Sequence, residues 1–470
     1  MEKVKKNYIF YTLSQIVLLC FSLFTFPYVS KTLGVDNYGI YCYFYAILSY
    51  FLIFAKLGIL NYGVREIAEC KKSKKKLTDK FIEIYLVQFI LTCIVLLIYI
   101  LFSFIFFRKN ISFVIIYSIF LVANFFDIAW FFQGVQDFLS ITLRNLFINI
   151  FSIICIFIFV KTKNDVSIYL LIVSLAQIVG NLIVWCRLKN TISFSNIKLK
   201  FDSSRFIKHL KGMLLLFVPI LTANIYNLMD EIMLGNLSVY GQVGIYACAK
   251  KIIWIPLAIV TPLSMTLFPY ISERKSQNND VDTRVKGNNL IFVIWLSVAC
   301  SVGLFYIAPY IINIFLDIEY IGAINVVRLM CIYLFFNILS LFLRDVYYLP
   351  NHKDKIYVTT VLIGIPINLI LNFILIPKFN AWGAAFATAI SEFALCVLRL
   401  FLIRREIDII SLIKKTLYFS GCALVMVYLA DFVRFNNSLI IELVIKVIVC
   451  ILIYLFLSLP YLRKLLKNKK

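Results

Sequence analysis

The sequence predicts an all-α membrane protein of about fourteen transmembrane helices, arranged as two six-helix lobes followed by a C-terminal helix pair. Three observations predict it. Of the 470 residues, 62% are hydrophobic and 15% charged, and the mean hydropathy is +0.92, more apolar surface than a water-soluble core can bury. The apolar residues fall into runs of about twenty, the length a helix needs to cross ~30 Å of hydrocarbon. The basic residues gather in alternate gaps between those runs, with seven in Arg65 to Lys80 alone.

In order, the runs occupy residues 8–30, 38–62, 81–106, 113–136, 141–160, 167–186, 212–235, 243–269, 289–315, 322–343, 357–377, 382–403, 416–433 and 439–459. They are continuously apolar and lack the period-two alternation of a membrane barrel, so strands are excluded. With an even number of spans both termini share a side. Gaps on that side hold 33 Lys and Arg, and gaps on the other hold seven: Lys31, Arg108, Lys109, Lys161, Lys163, Lys378 and Arg434. The positive-inside rule then places both termini in the cytoplasm. A net charge of +23 would suggest nucleic acid in a soluble protein. Here the charge is juxtamembrane, which implies attraction to anionic membrane lipid and no nucleic-acid partner. Lys3, Lys5 and Lys6 before the first run resemble a signal peptide, but no small-x-small cleavage site follows, and the segment reads as a retained helix. The twelve Cys form no C-x-x-C pair, and His209 and His352 lie in different connections, so no metal, disulfide framework or cofactor is expected.

The external connections are short, 31–37, 107–112, 161–166, 236–242, 316–321, 378–381 and 434–438, and leave no room for a catalytic domain. The longest gap, 187–211, is basic and follows the sixth run. It divides an N-terminal lobe, 1–186, from a C-terminal lobe, 212–403, with 404–470 as an appended two-helix segment and basic tail. Its end, with Phe206, Ile207 and Leu210 beside Lys208 and Lys211, suits either a short surface helix or a plain linker. A repeat supports the joint. LGVDNYGIY (Leu33 to Tyr41) joins the first two runs and LGNLSVYGQVGIY (Leu234 to Tyr246) joins the seventh and eighth. Two six-helix units that start on the same side are related by an axis along the membrane normal, as in some secondary transporters.

Charges inside the runs are the best site candidates, because a charge in hydrocarbon costs at least ~2.5 to 3.5 kcal/mol without a partner or a wet cavity. Asp230, Glu231, Lys250, Lys251 and Arg328 all lie at about one depth, ~9 Å below the outer helix ends at 1.5 Å per residue. This layer serves equally as an acid–lysine ion pair between antiparallel helices or as a ligand contact. Asn224, Asn227 and Glu231 share one helical face, which argues for a cavity beside it. Asp127, among Asn124, Trp130 and Gln133, suits a hydrogen-bonded packing residue as well as a site. Lys56 is near enough to the inner end of its run to snorkel. Glu442 and Lys446 neutralise each other at i, i+4. Surplus cations among Asn and Tyr suit a ligand both anionic and hydroxyl-rich, such as a sugar on a phosphate.

Five loose motifs recur in order: KTLGVDNYGIYCYFYAI, LGILNYGVREIA before a basic loop, DIAWFFQGVQDF, YNLMDEIMLGNLSVYGQVGIYACAKKI and INLILNFILIPKFNAWGAAFATAISE. Through them, residues 8–400 resemble the polysaccharide flippases, the Wzx-type lipid-linked oligosaccharide translocases of the MOP exporter superfamily. The resemblance implies a two-lobed, V-shaped, MATE-like bundle. It also implies flipping of undecaprenyl-diphosphate-linked oligosaccharide repeat units across a bacterial inner membrane for O-antigen, lipopolysaccharide or another surface polysaccharide. Polysaccharide polymerase and chain-length proteins are the implied partners, and no bond is made or broken. Carried onto this chain, the family's basic cavity falls on Lys31, Arg65, Lys250, Lys251 and Arg328 as diphosphate or acidic-sugar contacts, with Asp127, Asp230 and Glu231 pairing or tuning them. Lys31 stands where Arg is commoner, and Lys56 precedes Leu57-Gly58 where an acidic or neutral residue is usual. The alternatives are a drug or metabolite antiporter on the same fold and, from another class, a membrane polymerase. Short external loops and the lack of a D-x-D carboxylate pair argue against an enzyme.

Overall fold

The computed structural model describes residues 2–71, 73–192, 202–276, 283–433 and 438–467. Arg434 and residues 193–201 of the 187–211 connection lie outside them, as does the side chain of Asn227. Among the described residues there are helices and turns but no strands. The helices are α1 (Glu2–Lys56), α2 (Ile59–Cys70), α3 (Lys74–Phe106), α4 (Ile111–Phe125), α5 (Ala129–Gly134), α6 (Phe138–Phe159) and α7 (Val166–Thr191). They continue with α8 (Ser203–Leu237), α9 (Tyr240–Ser276), α10 (Thr283–Phe315), α11 (Ala323–Leu343), α12 (Asp354–Leu402), α13 (Ile409–Asp431) and α14 (Leu439–Lys467).

Eleven helical stretches among the described residues are long and apolar enough to cross a membrane. Two of them, Phe24–Cys70 and Asp354–Leu402, each contain a turn that the sequence predicts between two spans. In α1 the turn is Gly34, at φ 75°, a left-handed conformation that costs glycine little. In α12 it is Asn380, at φ 52°. The faces away from the interior are apolar and open, with Leu97 62%, Ile105 69% and Phe456 78% exposed. Such faces are stable against lipid and not against water.

The chain forms two compact units, Met1–Ile232 and Met233–Lys470. In the first, α7 packs on α4 and α6, α1 on α3 and α6, and α2 on α5. The run at 38–62 does not continue as one helix. It stops at Lys56, and the chain turns through Leu57 (φ 37°) and Gly58 (φ 73°) into α2. A side chain at Gly58 would lie 2.8 Å from the Met213 carbonyl oxygen of α8, so the turn needs glycine both for its angle and for its closeness. Tyr62, Ile67, Phe81, Trp130, Phe131, Met213 and Phe217 form the core there, with Phe206 and Leu210 packed against it. Residues 203–211 are therefore the first turns of α8, not a separate surface helix, because their apolar face has a protein partner. In the second unit α11 is the hub, touching α9, α10 and α12, while α10 carries both α13 and α14. Ala381, Ala385 and Ala389 are buried in α12 at i, i+4 and i+8, a small face that lets helices pack closely.

The two units use the joints of the repeat alike. The amide of Asn37 donates to the Lys163 carbonyl at 2.6 Å, tying the α1 turn to the α6–α7 connection. In the second unit the Ser238 hydroxyl donates to Asn380 Oδ1 at 2.6 Å, and Ala381 N–H donates to Gln242 Oε1 at 3.3 Å. There too, the turn between the first two spans of the repeat is pinned to the turn between its last two.

Candidate functional site

The run at 113–136 is interrupted in the structure. Helix α4 ends at Phe125 and α5 begins at Ala129, leaving Phe126, Asp127 and Ile128 outside the helical ladder in the interior of a membrane-spanning unit. Backbone groups freed there must find partners, since the bilayer supplies none. Neighbouring side chains supply them. Gln88 Nε2 donates to the carbonyls of Asn124 (2.7 Å) and Asp127 (2.9 Å), Asn181 Nδ2 donates to Ala123 O at 2.9 Å, and Trp185 Nε1 donates to Phe126 O at 2.9 Å. Trp130, three residues past the break, donates from Nε1 to Gln88 Oε1 at 2.9 Å. The motif DIAWFFQG thus encodes a broken helix whose carbonyls are answered by α3 and α7.

The break presents the Asp127 carboxylate to two cations. Lys56 Nζ lies 3.0 Å from Oδ2, and Arg144 Nη1 lies 3.0 Å from Oδ1. Arg144 is held in turn by Asn181 Oδ1 (3.3 Å) and by Asn145 Oδ1 (3.0 and 3.1 Å). Two cations on one carboxylate leave a surplus positive charge. Of the two, Lys56 is the more open, its side chain 48% exposed against 14% for Arg144. Lys56 lines a cavity of about 420 Å³ together with Tyr45, Ser49, Ile53, Asn224 and Leu228. Tyr45, Ser49, Ile53 and Lys56 fall on one face of α1 at helical spacing, and Asn224 and Leu228 are i, i+4 on α8. An ammonium has three donors. Among the described residues only Asp127 accepts from Lys56, and the lysine also lines the cavity wall. The arrangement can hold an anionic, hydroxyl-bearing group.

The remaining predicted residues fall in both units. Asp230 (2% exposed) and Glu231 (8%) are buried in α8 and belong to the first unit. Lys250, half-buried, and Lys251, exposed, are in α9 of the second. Lys31 is exposed just before Gly34. Arg65 is exposed on α2, over the Tyr62 ring at 5.5 Å and 3.7 Å from Glu66, beyond the far end of the same span. Arg328 stands over the Phe305 ring at 5.2 Å, in a second cavity.

Lys56 does not snorkel; its ammonium turns inward to Asp127. Arg144 is the residue that sequence reasoning passed over, because an Arg four residues into a run looks interfacial, and only folding places it against Asp127. The buried pair Arg399–Glu392 (3.7 Å), with Arg399 stacked on Tyr357 at 4.7 Å, escaped in the same way. The pair Glu442–Lys446 forms as expected, at 3.0 Å. Lys446 is further enclosed by the rings of Tyr306 and Tyr310.

The start of α8 is clamped to α2 and α3. The Tyr62 hydroxyl is 2.7 Å from His209 Nδ1, whose Nε2 is 3.1 Å from Glu83 Oε2, and Arg205 reaches Glu83 Oε1 at 2.6 Å. Asp202 accepts from the backbone N–H and hydroxyl of Ser204, at 2.9 and 2.7 Å. These bonds hold its carboxyl below the usual carboxylate range.

Many kinked, apolar helices in two units, with a broken helix displaying charge to a cavity, define a multi-span membrane transporter fold. Solved structures agree on that fold. "Lipid II flippase MurJ, inward closed conformation" matches with a TM-score of 0.78 at 18% identity, over 97% of this chain and all of that one. An inward-facing multidrug resistance MATE family transporter of the MOP superfamily matches with a TM-score of 0.64 at 12% identity, over 86% of this chain and 96% of that one. In sequence, the "Putative O-antigen transporter" of Escherichia coli (strain K12) is 26% identical over 414 residues, covering 86% of this chain and 97% of that protein. Residues 4–275 match the family described as "Polysaccharide biosynthesis protein". The chain belongs to that family.

Proposed function

We propose that this protein flips undecaprenyl-diphosphate-linked oligosaccharide repeat units from the cytoplasmic to the outer leaflet of a bacterial inner membrane, for O-antigen or another surface polysaccharide. The observation that carries the proposal is Lys56. An ammonium fixed by Asp127, whose other carboxylate oxygen is held by Arg144, with a cavity of hydroxyl and amide groups beside it, suits a diphosphate carrying sugars. Both termini are cytoplasmic in this proposal, and the lobes 1–186 and 212–403 alternate in access, joined by 187–211, with 404–470 appended. The glycan and diphosphate pass through the interior while the polyprenyl tail stays in lipid.

Lys250 and Lys251, with Lys31 and Arg65 towards the two ends of the path, are the proposed further contacts for diphosphate or acidic sugar. Asp230 and Glu231 tune those cations, as Asp127 tunes Lys56. A membrane potential negative inside favours outward movement of an anion by ~2.3 kcal/mol per charge per 100 mV. Polymerase and chain-length proteins would take the flipped unit onward. The relatives named as transporters support transport without bond chemistry.

The test is the distribution of lipid-linked oligosaccharide between leaflets in cells with the protein, without it, and with Lys56→Gln or Lys251→Ala at equal expression. Accumulation on the cytoplasmic leaflet without the protein, reversed by wild type and not by Lys56→Gln, supports the proposal. An unchanged distribution accompanied by loss of resistance to cationic compounds would replace it with a drug antiporter.

A further inference from the structure

Arg328 poses a problem that the transport path does not solve. It lies five residues into α11, in a membrane span, yet among the described residues it makes no hydrogen bond or ion pair. Its Nε is shut off from solvent and has no partner, and its one contact of note is the Phe305 ring at 5.2 Å. A guanidinium carries five donors and stays charged. Left unanswered in hydrocarbon, it costs at least ~2.5 to 3.5 kcal/mol.

The space beside it indicates what answers it. A cavity of about 330 Å³ is enclosed by Val298, Ser301 and Phe305 of α10, Arg328, Ile332 and Phe336 of α11, and one face of α13. The α13 face is Thr416, Ser420 and Leu424, spaced at i, i+4 and i+8. The walls are otherwise apolar, and the Ser301 hydroxyl is a second buried polar group without a partner. At the rim, Phe305, Ile332 and Leu424 are 48, 48 and 66% exposed, so the cavity opens sideways to lipid. A guanidinium in a slot walled mainly by apolar side chains complements a molecule with an anionic head and a hydrocarbon chain.

We infer that this cavity is a binding site for a single anionic phospholipid of the outer leaflet. On the proposed topology α11 enters from that leaflet, and its phosphate meets Arg328. One acyl chain lies between α10, α11 and α13, filling the gap where the appended helix pair rests on the second unit. This assigns Arg328 to a resident lipid instead of the transported diphosphate, and it holds whatever the cargo is.

The experiment uses the full-length protein purified in detergent, with native mass spectrometry and thermal unfolding in the presence of phosphatidylglycerol, phosphatidylethanolamine or undecaprenyl phosphate. The expected result is one retained phosphatidylglycerol that raises the unfolding temperature, with phosphatidylethanolamine bound more weakly. Arg328→Gln should weaken phosphatidylglycerol about 10- to 100-fold, the value of a lost charge-assisted hydrogen bond or two. Ser420→Phe, which fills the slot and keeps the charge, should displace the lipid too, and stands in if the arginine variant does not fold. Equal retention of the two phospholipids, or unchanged retention in both variants, would overturn the inference. So would undecaprenyl phosphate displacing phosphatidylglycerol in an Arg328-dependent manner, since the slot would then belong to the carrier lipid.

Discussion

Both units break their helical regularity beside an aspartate, but they treat its charge differently. In the first, α4 stops before Asp127, and that carboxylate gathers Lys56 and Arg144 from two other helices, each at 3.0 Å. In the second, α11 runs into a π-helical turn, Arg344–Tyr348, where Asp345 is answered by its chain neighbour Arg344 at 2.7 and 3.2 Å. The aromatic three residues on is tied down in both, Trp130 to Gln88 and Tyr348 to the Arg399 carbonyl at 2.8 Å. A residue with positive φ follows in both, Gln136 and His352. The second unit's aspartate is neutralised locally. The first unit's is over-neutralised by long-range partners, and the excess cation faces a cavity. A neutral pair stabilises a turn; a surplus charge held in place can bind.

The largest effect should come from removing the shared carboxylate. Asp127→Asn leaves Lys56 and Arg144 close together and unpaired, and should cost about 3–5 kcal/mol and abolish export. Asp345→Asn strands one partly exposed arginine and should cost about 1–3 kcal/mol. Thermal unfolding of the two variants in one detergent checks the order, and equal losses would erase the distinction between the units. Next is Lys56→Gln. Its side chain is half exposed, so stability should change by less than about 1 kcal/mol, while leaflet transfer of lipid-linked oligosaccharide should fall at least tenfold. A matching loss of folded protein would make Lys56 structural.

Gly58→Ala should cost about 1–3 kcal/mol, because the new methyl meets the Met213 carbonyl in a left-handed turn. The loss should appear as faster hydrogen exchange at the start of α8, with the second unit unchanged. The smallest effect concerns pH. Asp202 has its carboxyl depressed by the Ser204 hydrogen bonds. Its contribution is therefore complete above the ordinary carboxylate pKa and is lost as pH falls through the lower folded value. Exchange protection at residues 203–206, taken relative to the intrinsic rate at each pH, should fall on acidification in wild type and fall less in Asp202→Asn, where the Glu83–Arg205 pair remains to titrate.

Much of the architecture was legible in the residues. Apolar length and the turns at Gly34 and Asn380 mark where the chain crosses and reverses, because lipid demands long, self-satisfied helices whatever their neighbours. The broken span at Asp127 was not legible. Asn124 to Phe132 reads as one apolar run, and only the distant donors Gln88, Asn181 and Trp185 make the break tolerable. The site followed the same division. Asp127 announced itself as a charge within a run, whereas Arg144 and the inward turn of Lys56 depended on which helices meet.

By itself the sequence determined a multi-span helical membrane protein, its repeat, and the residues that could not sit in hydrocarbon alone. Those are local properties, decided by each segment's own transfer energy between water and lipid. Only the tertiary structure decided which cation answers which carboxylate, which ammonium keeps donors to spare, and which arginine is left without a protein partner. Pairing energies depend on distances of a few ångströms between residues separated along the chain, by 71 positions for Lys56 and Asp127, and a linear pattern carries no such distances.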